Sequence, residues 1–349
     1  MKIISLNVNS FMGIKTSISG KGADEIIQHS YEYEGLRYDE SITDFDIRYC
    51  NQNSIKKIFE IIDEEKPEVV ILHEYRRNFP SAIEFEKKMK ESGYSEPLTH
   101  KKKGRYKYGF STAFFVKSGL SYKDEKDIFN PLTISLSDRV YSIEMSEIII
   151  IGIHIPLNRE DGLSIREDTW DEVLHYIEDV QDRRIAIIGD FNTYDKTGKN
   201  AEAYEKKERL IQNGYFDVWL EMGQADNTPT QKPNLSRLDY AFITKTLLKK
   251  IKMRMIPEND NEFISDEWSL SDHRMLVIEI EEDKNMAIEK VLTQAITKMF
   301  PDGGETYTYD DIRRIFEEEG VDVSDFDSVL NECIKGGWIT DCGDNNYTR

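Results

Sequence analysis

The run Ile187-Ile188-Gly189-Asp190-Phe191-Asn192-Thr193 closes an apolar strand with a glycine, then sets an aspartate and an asparagine two residues apart. Alternation along an extended backbone turns both side chains to the same side, around one small volume. A carboxylate there could take a proton from water, and a neutral amide could hold that water or steady an oxyanion. Alone, an Asp-x-Asn at a strand end is more often a turn or a helix cap than a site of chemistry. Its weight comes from similar strand ends elsewhere in the chain.

The amino terminus, Lys2-Ile3-Ile4-Ser5-Leu6-Asn7-Val8-Asn9, reads as a strand with polar residues at its end. Val69-Val70-Ile71-Leu72 delivers His73 and Glu74, and Ile148 to Ile153 delivers His154 ahead of Ile155-Pro156. Downstream, Ser236-Arg237-Leu238-Asp239-Tyr240 leads into Ala241-Phe242-Ile243, and Ser271-Asp272-His273 precedes Arg274 and Met275 to Ile280. Six strands thus present polar or ionisable groups at or beside a terminus. Their interiors are nearly uniformly apolar, which predicts sheets covered on both faces. Each member also has a plain structural reading: Asn7 as a strand terminator, Asp239 and Ser271-Asp272-His273 as polar turns, His154 as a satisfied buried histidine.

Together these segments resemble the endonuclease/exonuclease/phosphatase superfamily, the deoxyribonuclease I-like fold. The resemblance covers roughly residues 1–282 and rests on Leu-Asn-Val-Asn, Leu-His-Glu-Tyr, Gly-Ile-His-Ile-Pro, Gly-Asp-Phe-Asn, Arg-Leu-Asp-Tyr and Ser-Asp-His. Any one of these is weak; six in the family's order are strong. The resemblance implies that Glu74 is the principal carboxylate ligand of a Mg²⁺, with Asn7 beside it. Asp272 would sit near the metal or complete a second cation site. Oxygen donors of this kind suit Mg²⁺ or Mn²⁺, and no thiolate or imidazole cluster favours zinc. In the same comparison Asp190 is the general base and Asn192 orients the attacking water. His273 is an imidazolium at the scissile phosphate, held by Asp239, and His154 is a hydrogen-bond donor to the substrate. Asn9 becomes a second oxygen ligand or a substrate contact. His73 stands where the family often has glutamine and is given no chemical role. The AP-endonuclease branch usually has tyrosine where His154 stands, which puts abasic-site specificity in doubt.

The net charge of −20 sits awkwardly with a polyanionic substrate. Local fields matter more than totals, and Lys101-Lys102-Lys103-Gly104-Arg105-Tyr106-Lys107-Tyr108 interleaves five positive charges with two aromatics. Lys103 and Arg105 are its candidate substrate contacts, and Arg76 and Arg77, just after Glu74, form a second candidate. No apolar run approaches the roughly 20 residues that span a bilayer. Met1 is followed almost at once by a core strand, leaving no room for a secretory signal. Cys50, Cys333 and Cys342 form neither a disulfide framework nor a zinc pattern, so a cytoplasmic setting is expected.

Amphipathic helices are expected over Ser54 to Glu65, Ala82 to Glu91, Ser164 to Gln181 and Tyr204 to Gln212. Alternating with the strands, they predict an α/β fold: a four-layered α/β sandwich of two packed mixed sheets flanked by helices. Residues from about 10 to 50, rich in tyrosine and acids, form an insertion longer than the family usually has. From residue 286 to 349 the pattern changes to three helices, Met286 to Met299, Tyr309 to Glu319 and Ser324 to Lys335, and a hairpin. That order fits a small, mainly helical winged-helix-like domain. It holds 14 acidic and 6 basic residues, a balance of −8, which argues against DNA readout and favours docking of a protein partner.

The leading expectation is a Mg²⁺-dependent phosphodiester hydrolase, a nuclease cleaving DNA or RNA. The alternatives are a phosphatase or phospholipase-type phosphoesterase on inositol phosphates or sphingomyelin, and a non-catalytic adaptor acting through the carboxyl-terminal module.

Overall fold

The computed structural model describes residues 1–11, 52–75, 77, 80–99, 111–128, 138–156, 165–178, 183–194, 201–232, 234–265, 268, 270–281, 306–318, 326–335, 339–343 and 346–348. By internal contacts the chain divides into Met1–Ile280 and Glu281–Arg349. In the first unit the strands are β1 (Lys2–Asn7), β2 (Val69–Tyr75), β3 (Ser111–Val116), β4 (Lys123–Asp124), β5 (Val140–Met145) and β6 (Ile148–His154). They continue with β7 (Arg184–Asp190), β8 (Tyr215–Asp217), β9 (Asp239–Thr244), β10 (Ile251–Ile256) and β11 (Met275–Ile280). One sheet runs β10-β11-β1-β2-β3 and the other β4-β5-β6-β7-β9-β8.

Period-two alternation divides every central strand between two cores. Ile3, Val69, Ile71, Phe114, Ile148, Ile150, Ala186, Ile188, Ala241 and Ile243 fill one cluster between the sheets. Their neighbours on the first sheet, Ile4, Val70, Leu72 and Phe115, pack outward on Ile55, Ile58, Phe59 and Ile62 of the helix Gln52–Glu65 and on Phe85 of the helix Pro80–Glu91. On the second sheet, Ile149, Ile151, Ile185 and Ile187 pack outward on Trp170 and Val173 of the helix Ile165–Glu178 and on Leu210 of the helix Ala201–Gln212. The result is helix, sheet, sheet, helix, the expected four layers. Gly152 lies where the sheets approach: a Cβ there would fall 2.6 Å from Phe114 Cε2 and 2.9 Å from Ile71 Cγ2.

The pairing decides which strand ends meet. β1 and β2 run parallel, and so do β6 and β7, so each pair ends together. β11 is antiparallel to β1 and β9 to β7, so both begin where their partners end. Strands β4, β5, β8 and β10 are additions to the sequence reading. For β10 the signal was present, since buried Ile251, Met253 and Met255 alternate with Lys252 and Arg254.

At the front of the 10–50 insertion, Asn9–Phe11 is a single 3-10 turn whose Phe11 ring lies 5.0 Å from that of Phe85, tilted by 35°; residues 12 to 51 lie outside the described residues. In the second unit the helices Tyr309–Glu318 and Phe326–Lys335 bury Ile312, Phe316, Leu330 and Cys333 against Ile339 and Tyr347. Thr308 caps the first of these: its Oγ1 donates to Asp311 Oδ2 at 2.7 Å and accepts from Asp311 N at 3.3 Å. Asn346–Thr348 pairs with both Thr340–Gly343 and Tyr307–Thr308. The expected helix from Met286 to Met299 lies outside the described residues.

Candidate active site

The alternation that builds the inner core also aims the polar strand ends. Asn7 continues the parity of Ile3 and Ser5, and His73 that of Val69 and Ile71. His154 continues that of Ile150 and Gly152, Asp190 that of Ala186 and Ile188, and Asp239 that of Ile243 and Ala241. All five therefore face the gap between the sheets at one end, and all five are buried.

Asp190 is the hub. Its Oδ1 accepts the backbone N–H of Asn192 at 2.9 Å; its Oδ2 accepts Nδ2 of Asn7 at 2.9 Å and Nδ2 of Asn192 at 3.2 Å. Asn192 is left-handed, with φ 45°, a conformation asparagine tolerates, and it also donates to the Ile155 carbonyl at 2.8 Å. Burial pushes the Asp190 carboxyl up to about 7, Asp239 adds to the rise, and His273 and the Asn7 hydrogen bond oppose it. A carboxylate poised near neutrality is what a general base requires.

His273 donates Nδ1–H to Asp239 Oδ2 at 2.8 Å and leaves Nε2 3.9 Å from Asp190 Oδ2. Burial works against the charged ring, but Asp239 and Asp190 together raise it to about 10. The pair is braced from behind. Thr230 Oγ1 accepts the Asp239 N–H at 3.0 Å, Ser271 Oγ accepts the His273 N–H at 3.2 Å, and Trp268 Nε1 donates to the His273 carbonyl at 3.1 Å. Ser271 Oγ in turn donates to the Asn7 carbonyl at 2.6 Å, fastening this loop to the end of β1.

His154 approaches the same carboxylate from the other side. Its Nε2 lies 3.9 Å from Asp190 Oδ2 and 3.6 Å from Glu74 Oε1. These separations exceed hydrogen-bond length. Glu74 reaches this place by breaking the strand's alternation. With regular geometry it would point opposite to His73, but its φ is 51° and the β2–β3 register slips between Leu72 and Tyr75. A left-handed glutamate is strained, which the surrounding sheet must enforce. His73 itself is entirely buried between Ser5 Oγ (3.0 Å from Nε2) and Thr112 Oγ1 (3.2 Å from Nδ1), and burial drives it down to about 3, so it stays neutral.

Other expected residues fall as follows. Asn9 donates its backbone N–H to Asn7 Oδ1 at 2.9 Å and so fixes the amide that holds Asp190. Arg77 acts electrostatically on Glu86 and the Tyr75 hydroxyl, toward the helix Pro80–Glu91. Arg76, Lys103 and Arg105 lie outside the described residues. Sequence reading passed over Arg139, whose Nη1 lies 2.9 Å from His154 Nδ1, because an arginine ahead of an apolar strand ordinarily reads as solvated.

The donors present fit a hard divalent cation. Ligating atoms of Asp190, Asp239 and His273 lie within 4.8 Å of one another and could hold a metal ion. Asp272, which acts electrostatically on His273, has its Oδ1 buried without a hydrogen-bond partner among the described residues. A buried anionic oxygen lacking a donor is stabilised by a cation.

Two packed mixed sheets flanked by helices, with carboxylates, amides and two histidines gathered at one end, make up a deoxyribonuclease I-like fold. Among solved structures the chain is similar to an AP endonuclease from Archaeoglobus fulgidus, at 14% identity and TM-score 0.50, over 80% of this chain and 99% of that one. It is likewise similar to the 3'-5' exonuclease (NExo) from Neisseria meningitidis, at 14% identity and TM-score 0.50, over 80% of this chain and 100% of that one. No protein-family model matches the chain, and no curated protein matches it by sequence. At this identity the likeness establishes the fold alone.

Proposed function

We propose that the chain is a Mg²⁺- or Mn²⁺-dependent phosphodiester hydrolase acting on nucleic acid. One observation supports the reading: Asp190 Oδ2 lies 3.9 Å from Nε2 of both His154 and His273, so a carboxylate and two imidazole rings converge at one place. Asp190 takes the proton of the attacking water, which the Asn192 and Asn7 amides help to orient. The His273 imidazolium, kept charged by Asp239, meets a non-bridging oxygen as its negative charge grows in the transition state. His154 donates a second hydrogen bond. Glu74 and Asp272 would hold the cation, which when bound supplies polarisation of a phosphoryl oxygen and stabilisation of the leaving oxygen.

Nucleic acid is favoured over lipid or inositol phosphates because structures similar to this one include an AP endonuclease and a 3'-5' exonuclease. None of the described helices is long and apolar enough to cross a membrane. The acidic second unit is read as a docking module for a protein partner. Purified protein with Mg²⁺ or Mn²⁺ would be offered plasmid, single-stranded DNA, RNA and inositol phosphates, beside Asp190→Ala and His273→Ala. Cleavage of nucleic acid lost in both variants supports the reading. Turnover of phosphomonoesters alone moves it to a phosphatase, and silence on every substrate moves it to an adaptor.

A further inference from the structure

Arg139 stands immediately ahead of β5 and is almost wholly buried. Its backbone carbonyl accepts the His154 N–H at 2.9 Å and the Thr112 hydroxyl at 2.8 Å, which fixes it against the neighbouring strands β6 and β3. Its guanidinium turns toward the site and brings Nη1 to 2.9 Å from His154 Nδ1. A guanidinium has donors only and keeps its proton in proteins. Nδ1 must therefore offer its lone pair, and the ring proton resides on Nε2. That nitrogen is the one turned into the site, 3.6 Å from Glu74 Oε1 and 3.9 Å from Asp190 Oδ2. The other tautomer would present a lone pair where an anionic phosphoryl oxygen has to sit, a repulsive contact.

We infer that Arg139 is a positioning residue: it selects the Nε2–H tautomer of His154 and aims that N–H at a phosphoryl oxygen between Glu74 and Asp190. The two histidines are thus oriented by opposite kinds of partner. A carboxylate accepts from Nδ1 of His273, and a guanidinium donates to Nδ1 of His154. Both rings end with an N–H directed at the same small volume. The choice of substrate oxygen rests on the phosphodiesterase reading; the tautomer does not.

The decisive measurement is a long-range proton–nitrogen correlation spectrum of histidine-labelled protein, with the His154 ring assigned by its loss in His154→Gln. The expected pattern is a protonated Nε2 and a bare Nδ1. Arg139→Lys, which like arginine has donors only, should keep the tautomer and lose no more than about threefold in kcat, and a tautomer switched in it overturns the inference. Arg139→Leu should mix the tautomers and lower kcat about 10- to 100-fold, with a smaller change in KM. A protonated Nδ1 in the wild-type protein, or an unchanged tautomer or kcat in Arg139→Leu, overturns the inference. Should Arg139→Leu fail to fold, the wild-type spectrum and Arg139→Lys still decide. Should the protein cleave no phosphodiester, the spectrum tests the tautomer independently of that failure.

Discussion

Asn7 and Asp190, 183 residues apart in sequence, share a 2.9 Å hydrogen bond that ties the end of β1 in one sheet to the end of β7 in the other. The bond closes the inter-sheet gap at the edge where the parallel strands finish. It also favours the ionised form of Asp190 against the penalty of its burial. One contact thus joins the two sheets and acts on the ionisation of Asp190.

The pH profile of hydrolysis follows from the two central groups. Asp190, raised to about 7 by burial, must be ionised to accept a proton, so activity climbs as pH rises through that value. His273, held near 10 by Asp239 and Asp190 despite its burial, loses its charge as pH passes that value, and activity falls. The expected curve is bell-shaped, and a saturating divalent cation should move its acid limb to lower pH by favouring the carboxylate. A profile flat across the neutral range counts against Asp190 as the base.

Asp239→Asn replaces the acceptor of the His273 Nδ1–H with an amide that can present a donor. Without the carboxylate the ring loses both its orientation and most of its raised affinity for a proton. The expected loss in kcat is about 10²- to 10⁴-fold, with the alkaline limb moved toward ordinary histidine values. Steady-state kinetics across pH measure both effects.

Gly189→Ala should damage the fold rather than the chemistry alone. A Cβ there would meet the Ile153 carbonyl at 2.0 Å and His73 Cε1 at 2.7 Å, on a backbone whose φ of +149° side chains rarely adopt. Strain and overpacking together are expected to cost about 2–5 kcal/mol. Urea unfolding gives the value, and wild-type stability in the variant would contradict the geometry.

Glu125 offers a stability test remote from the site. It is buried and accepts the Tyr176 hydroxyl at 2.9 Å, and burial lifts its carboxyl to about 8 although that hydrogen bond opposes the rise. The folded state therefore retains a proton that the unfolded state releases above its ordinary value of 4.5. Stability from this group is full below that value and declines as pH climbs to about 8. Glu125→Gln, neutral at every pH, should raise Tm at neutral pH and leave it nearly unchanged in acid. Equal shifts at both pH values would refute the assignment.

Removal of the metal should abolish hydrolysis and addition of Mg²⁺ or Mn²⁺ restore it. Glu74→Gln keeps the side chain's shape but removes its charge, so the cation concentration giving half-maximal activity should rise about tenfold or more. Calorimetric titration of Mg²⁺ into both proteins reads the same difference without substrate. Indistinguishable binding would place the cation elsewhere, with the Asp190, Asp239 and His273 trio as the next choice.

Much of this arrangement was legible along the chain because β alternation is a local property. Asn7, His154 and Asp190 each end an apolar strand, and Asp239 begins one, at the parity of its inward-facing residues, so their shared direction could be read from spacing. Helix stripes such as Ile55, Ile58, Phe59 and Ile62 were equally readable. Glu74 was found by resemblance, since parity alone sends it to the wrong face; only its left-handed backbone and the slipped β2–β3 register bring it to His154. Arg139 carried no local signal at all. Its contact with His154 exists because β5 and β6 pair antiparallel, with Val140 opposite Ile153. Side-chain direction is set by the two or three residues on either side, so the sequence determined it. Which directions converge depends on pairing across long separations and on a few strained torsions, and these the packed sheets alone decided.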